Sequence, residues 1–397
     1  MTARLLATHD GMHDAPPYAP SERLIELVRD AGLTGRGGAG FPTYRKLEAV
    51  RNARREGKAR RDAVVVGNGA EGEPASAKDA VLLERSPGLV LDGLQLAAGA
   101  VGASRAYLHV AHQAVPRLER LLAARRDPVP VTLQAAAPTF LAGEESAVVA
   151  AIEGRRAVPR DKFRRITEAG VRGAPTLVQN VETLAHLALV ARHGPRWFRA
   201  VGTADEPGTF LATVTGAVRS PGVYELPCGA PLGLAIERAG GLAVPARHVL
   251  IGGFHGAWVP ARAGLPISRA GLAPFGASPG AGVVAVLAAG RCGLAETARI
   301  VAYLARESAG QCGPCRNGLP RLAAALAQAV QQAAEQTVPQ AAEQAVPQAA
   351  EVARIARIVS GRGACAHPDG TVRLVRSALA AFADDIEAHR EGWCIEG

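Results

Sequence analysis

Long apolar runs are missing from this 397-residue chain, and with them any segment of the roughly 20 apolar residues that a membrane-spanning helix needs. Aromatic residues make up only 4%, so the stacking platforms used by single-stranded nucleic-acid binders are scarce. Lysine occurs only at positions 46, 58, 78 and 162, and the net charge of +9 is therefore carried by arginine. Those arginines are scattered, apart from a denser stretch between Arg51 and Arg61. Scattered charge with few aromatics argues against a nucleic-acid surface and for solubility or an acidic partner. Six cysteines are too few for a disulfide framework in a chain this long. The stretch 1–20 lacks a basic-then-apolar signal pattern and is expected to be a disordered arm on a cytoplasmic protein.

The length implies two or three domains. In the first half, Leu24, Ile25, Leu27 and Val28 fit a helix face, and Ala63 to Val66 is a buried parallel strand. Helices are expected over 89–101 and 115–125 and from Ser146 to Ile152, with strands over 106–110 and 129–135. Alternation of this kind predicts an α/β layer fold. Beyond Gly208 short strand candidates appear at 210–214, 223–225, 249–251 and 283–287, with one helix at 233–238: a small α+β module. From Leu294 the pattern is helical. Within it, Ala-Ala-Glu-Gln-x-Val-Pro-Gln repeats with a period of eight. A proline in every repeat is expected to prevent one continuous helix and to make 333–351 a low-complexity insertion.

Gly35, Gly37 and Gly40 satisfy G-x-G-x-x-G, but this loop follows a helix where a dinucleotide fold has a strand. Without Cβ atoms its backbone can still approach a phosphate or flat ring closely, or simply turn tightly. Asn68-Gly69-Ala70-Glu71-Gly72-Glu73-Pro74 follows the 63–66 strand, where α/β folds place ligands. Phe140 to Ser146 follows another strand and opens a helix. Its pair Glu144-Glu145 is read either as a cap favoured by the helix dipole or as acceptors for ribityl or ribose hydroxyls.

The segments 35–42, 68–79, 143–154, 173–183 and 311–316 stand in the order found in the flavin subunit of NADH:quinone oxidoreductase, which the chain resembles over roughly residues 22–385. Flavin subunits of NAD-linked hydrogenases and formate dehydrogenases share them. The resemblance implies an α/β FMN- and NADH-binding domain over 21–205. A ubiquitin-like β-grasp, soluble-ligand-binding domain would follow over 206–290, and a helical iron–sulfur bundle over 291–397. It places Gly35, Arg36, Gly37, Gly38, Gly40, Phe41, Lys46, Asn68, Glu71 and Glu73 around FMN and NADH, and Gly143, Glu144, Glu145, Asn180 and Thr183 along the flavin. The implied activity is hydride transfer from NADH to FMN, then electron transfer through a [4Fe–4S] cluster. The acceptor would be a ferredoxin-like or complex I-like protein subunit, with at most peripheral membrane association. A non-catalytic scaffold or electron relay with a decayed nucleotide site is the alternative.

Several positions depart from the family pattern. Ala70 stands for an aspartate, Gln179-Asn180 for a pair of asparagines, and Ala49 and Arg165 for aromatics beside adenine, so weak nucleotide affinity is expected. The pattern C-x-x-C-x-x-C keeps Cys312 and Cys315 but has Ala309 first; Cys365 is the distant member. Three thiolates remain of the four usual cluster ligands. The fourth ligand is His367, Cys292 or Cys394, or the iron site is open, or the cluster is replaced by zinc or lost.

Overall fold

The computed structural model describes residues 4–7, 21–55, 62–160, 163–335 and 342–390. The chain divides into two compact units, Met1–Ala212 with Val223–Ala230, and Thr213–Gly222 with Pro231–Gly397.

The first unit contains α1 (Ser21–Ala31), α2 (Thr43–Arg55), β1 (Ala63–Gly69), α3 (Lys78–Arg85), α4 (Pro87–Val101), β2 (Ala103–Ala111), α5 (Val115–Ala123), β3 (Val131–Ala136), α6 (Glu145–Ile152), β4 (Thr176–Asn180) and α7 (Val181–Arg199). Its four strands are all parallel, in the order β3-β2-β1-β4. Val65 and Leu177 face a core shared with α1, α2, α4 and α7, whereas Val64, Val66 and Val178 face α6. Burial on both faces explains the unbroken apolar run of β1. Helix α4 starts with Pro87 in its first turn, ends at Gly102 with φ 65°, and is buried over almost its whole length. At Gly93 its backbone meets α7 so closely that a Cβ would stand 1.9 Å from the Leu184 carbonyl oxygen.

The arm expected over 1–20 is not free where it is described. Leu5 is fully buried. The N–H groups of Arg4, Leu5 and Leu6 all donate to the Glu225 carboxylate, at 2.8, 2.9 and 3.3 Å. Ser86 donates to the Leu5 carbonyl at 2.7 Å, and the Arg4 guanidinium lies 3.9 Å over the Trp197 ring. One apolar side chain and three satisfied donors anchor a segment that composition alone presents as an arm; residues 8–20 lie outside the described residues.

Strand β5 (Thr209–Gly216) begins in the first unit and ends in the second, and β6 is Gly222–Pro227. In the second unit the end of β5 pairs in parallel with β9 (Val283–Ala288), β9 pairs antiparallel with β7 (Ala246–Ile251), and β7 with β8 (Ala257–Pro260). Short helices α8 (Leu232–Arg238) and α9 (Arg269–Leu272) lie between strands. Helices α10 (Gly293–Arg306), α11 (Leu319–Glu335), α12 (Ala342–Val359), α13 (His367–Ala381) and α14 (Ala383–Arg390) follow. Trp258 joins β8 to the helices: its indole donates to Thr297 at 2.9 Å and its backbone N–H to Ser377 at 3.0 Å.

The repeat expected to interrupt the helices instead enters them. Helix α12 runs through Pro347, and α11 takes in Ala333 to Glu335. Pro347 lies beyond the first turn of α12, where a proline forfeits a helix hydrogen bond, and the alanine-rich repeat favours helix on both sides. Residues 336–341 lie outside the described residues. Among the described residues no helix is long and apolar enough to cross a membrane.

Candidate functional site

From β1 the chain steps through β2 to β3 on one side of the sheet, and β4 is added on the other. This reversal opens a crevice at the carboxyl ends of β1 and β4, where α/β folds bind ligands. Asn68 and Asn180 face each other there in register.

Glycines bring three loops to this point. The glycine loop is closed by a bridge between Thr34 and Pro42 and by the Gly35 N–H to the Phe41 carbonyl, at 2.9 Å. Gly38 and Gly40 have φ of 106° and 59°, which side chains disfavour. Gly37 passes Asn180 so closely that its Cβ would lie 3.3 Å from the asparagine Cβ. A Cβ on Gly72 would stand 2.3 Å from the Phe140 carbonyl oxygen, and one on Gly143 2.9 Å from that of Ala70. Asn68 ties the loops together, donating to the Gly143 carbonyl at 2.8 Å and accepting from the Ala70 N–H at 3.2 Å.

The charged residues divide into two groups. Lys46 pairs with Glu145 at the pocket, and Phe41 is 45% exposed beside it in sequence. Other expected ligands are committed to the fold. Glu144 caps α6, accepting from the N–H groups of Ser146 and Ala147 at 2.9 and 3.0 Å. Glu71 caps α3 through Asp79 and Ala80 at 3.1 and 3.2 Å, and burial, then the nearby Asp79 charge, raises its pKa. Glu73 accepts from the Ala75 N–H at 3.1 Å. The Arg36 N–H donates to Thr183 at 2.8 Å, while its guanidinium reaches Thr34 and the Pro207 carbonyl at 3.1 and 3.2 Å. Arg36 and Thr183 therefore pin the glycine loop to α7.

Sequence reasoning missed the buried ion network below. The Lys78 ammonium lies 2.7 Å from Asp79 and 2.9 Å from Glu182. Asp79 accepts from the Asn180 amide at 2.7 Å, and the Asn180 oxygen caps α7 through the Glu182 N–H at 3.0 Å. Burial works against the Lys78 charge, but Asp79, Glu182 and Glu71 outweigh it and raise its pKa. Burial raises the pKa of Glu182, opposed by Lys78 and Arg36, and keeps His186 neutral. A lysine in a chain that otherwise uses arginine was the available signal. Gln179 has a buried Nε2 without a hydrogen-bond partner.

In the second unit, Cys315 lies on a single wide turn, Pro314–Gly318, that runs into α11; such π-type turns recur at functional sites. Cys312 and Cys365 are its neighbours: burial and these two sulfurs push the Cys315 thiol up to about 12. The N–H of Ala364 is directed at the Cys312 sulfur and that of Gly310 at Cys315. Ala309 is buried. Among the described residues no three His, Cys, Asp or Glu side chains are grouped so as to hold a metal ion. The His367 Nε2 meets the Leu304 carbonyl at 2.9 Å and its Nδ1 meets His255 Nε2 at 3.0 Å. The Cys292 sulfur caps α10, accepting from Ala295 at 3.4 Å. Cys394 lies outside the described residues.

Residues 28–189 match the family model described as the Nuo51 FMN-binding domain, 211–253 the SLBB domain, and 295–389 the NADH-ubiquinone oxidoreductase-F iron-sulfur binding region. The chain is 32% identical to the second NADH-quinone oxidoreductase F subunit of Rhizobium meliloti (strain 1021), over 94% of this chain and 90% of that one. It is 29% identical to the NADH-quinone oxidoreductase F subunit of Streptomyces coelicolor, over 97% and 86%. A solved NAD+-reducing [NiFe]-hydrogenase in the H2-reduced state superposes with a TM-score of 0.83 at 30% identity. That match covers 96% of this chain but spans only 65% of the hydrogenase chain.

Proposed function

The chain belongs to the family of F subunits of NADH-quinone oxidoreductase, and from that premise we propose that it passes electrons from NADH, through non-covalently bound FMN, to a protein acceptor. The observation that carries this is the meeting of three glycine-bearing loops at the carboxyl ends of β1 and β4. The residues present fit FMN. A cradle that Cβ atoms would fill admits a flat ring or phosphate.

The backbone of Gly35 to Gly40 with Arg36, Phe41, Lys46, Asn68, Glu71, Glu73, Gly143, Glu144, Glu145, Asn180 and Thr183 would form the pocket. When bound, FMN accepts a hydride from reduced nicotinamide and releases its electrons singly. The chain supplies position and charge. Lys46, held by Glu145, keeps a cation at the pocket. Lys78 and Asp79 fix the Asn180 amide so that its orientation does not depend on the ligand. The exposed Phe41 offers a face to the nucleotide, whereas Arg165 and Ala49, also exposed, offer no aromatic ring.

Residues 206–290 are proposed as the ubiquitin-like β-grasp module between the FMN domain over 21–205 and the helical region over 291–397. The SLBB match and the mixed sheet of β5, β9, β7 and β8 support it. The hydrogenase and quinone oxidoreductase subunits that resemble the chain support a ferredoxin-like or complex I-like acceptor subunit. A cytoplasmic location is proposed with it, since six cysteines are too few for a disulfide framework in a chain of this length.

The purified full-length protein is expected to show flavin absorption that bleaches on anaerobic addition of NADH. Protein that is colourless and takes up no added FMN would instead support a scaffold role, which Ala49, Ala70 and Ala309 favour.

A further inference from the structure

A cavity of about 660 Å³ lies in the second unit, lined by β7, β8, α13 and the turn at 274–276. That volume is within the roughly 300–1,000 Å³ of small-molecule sites, and none of its residues belongs to the flavin crevice. The apolar wall is fixed by its own packing. Trp258 is tied to Thr297 and Ser377 and meets the Phe382 ring edge-on at 5.2 Å, and His248 meets the same ring at 4.8 Å. Phe275 and Pro260, both half-buried, line the same space.

The polar side of the cavity is cationic. Arg373 and Arg376 stand three positions apart on one face of α13, and both are exposed. Arg373 donates one N–H to the His255 carbonyl at 3.0 Å and keeps its other donors available. Arg376 forms no ion pair among the described residues. The carboxylate in the lining, Asp369, is engaged by the Gly361 N–H at 2.7 Å. The Ser377 hydroxyl is taken up between the Trp258 N–H and the Leu374 carbonyl. Burial holds His248 below its ordinary pKa, so its ring adds no charge at neutral pH. Two guanidinium groups thus stand against one engaged carboxylate, a balance that favours an anion.

We infer that this cavity binds a small organic anion, its planar apolar body against Phe275 and Pro260 and its carboxylate or phosphate on Arg373 and Arg376. The guanidinium fork matches the paired oxygens of either group, and an aromatic wall suits a flat body. A bare ion leaves the apolar wall empty, and a neutral ring leaves the arginines without a counter-charge. Because the lining comes from β8, α13 and Ser360 beyond the end of α12, an occupant ties three parts of the second unit together. Binding to the folded form alone stabilises it.

The test uses the purified full-length protein, with equilibrium dialysis and thermal melting as readouts. Naphthoate and adenosine monophosphate are the probes, and they separate a carboxylate from a phosphate as the source of the anion. At least one is expected to bind with a Kd of about 1 mM or tighter and to raise the Tm. Arg373→Gln/Arg376→Gln should weaken that binding at least about tenfold while flavin content stays unchanged. Ala380→Phe fills the cavity from an exposed position and should abolish binding in a protein that melts as the parent does. Failure of both probes to bind at about 10 mM overturns the inference. So does binding that persists in both variants, or naphthalene methanol binding as tightly as naphthoate. Protein that lacks FMN yet binds a probe at the arginines leaves the inference standing and counts only against the flavin reading.

Discussion

Replacing Lys78 by methionine isolates the ion network at the carboxyl ends of β1 and β4. The ammonium has Asp79 at 2.7 Å and Glu182 at 2.9 Å, and the three side chains are 4%, 6% and 1% exposed. Methionine keeps the length of the side chain and removes its charge, which leaves two buried carboxylates without the ammonium between them. Stranding a buried charge costs about 3–5 kcal/mol, because no water replaces the lost partner. In a unit of this size each kcal/mol moves Tm by about 2–4 °C, so the first unit is expected to melt roughly 6–20 °C lower.

The pH dependence has a definite sign. Glu182 has a raised folded-state pKa, so the folded form binds its proton more tightly, and stability falls as pH rises from the unfolded value near ~4.3 through the folded one. Loss of the Lys78 charge removes the largest opposing influence and moves that window upward. Lys78→Met is therefore expected to regain stability on acidification. The parent's Lys78, with its raised pKa, gives its full contribution below about 10.4 and loses it only as pH rises through the folded value. Thermal unfolding followed by circular dichroism, with Lys78→Met/Glu182→Gln as the companion, measures this. The double variant should recover a good part of the loss, since the stranded charge is gone. A Lys78→Met protein melting within about 2 °C of the parent, or losing no less at acid pH, refutes the reasoning.

Gly37→Val places a branched side chain against Asn180 and should weaken FMN binding at least about tenfold in a fluorescence titration. Unchanged affinity in a folded variant removes the glycine loop from the pocket. Arg165→Phe should lower the KM for NADH by about 2–10-fold if a ring there stacks on adenine, worth roughly 0.5–1.5 kcal/mol; an unchanged KM places the nucleotide elsewhere. Gly370→Ala would put a Cβ 2.4 Å from the His255 ring and should cost about 1–3 kcal/mol by overpacking, read from the melting of the second unit.

Local pattern made much of the first unit legible. The run Ala63 to Val66 marked β1 because a strand buried on both faces leaves no polar alternation. Thr176–Asn180 was not seen as a strand, since five residues flanked by a cap carry little periodicity, and the motif there spans β4, the cap and α7. The glycines at 37, 72 and 143 were recognisable as a loop chemistry. The partners of their loops were not, because the topology of the sheet, and no local spacing, brings residues such as Asn68 and Gly143 together across 75 positions. Lys78 and Glu182 form one network across a still larger separation. His367 looked like a ligand from its place beside Cys365; its partner, His255, is contributed by a distant loop.

The clasp of Arg4, Leu5 and Leu6 on Glu225 has a consequence in time. Its partners are 221 residues apart at the widest. On a ribosome adding roughly 5–20 residues per second, about 11–44 s pass between their appearances. During that interval Leu5 has no finished socket, and the carboxylate that gathers its N–H groups does not yet exist. The α/β unit can collapse earlier, but its final closure waits for a strand encoded beyond its own sheet. A chaperone or protease that meets the nascent chain in that window encounters an apolar end that the finished molecule never displays.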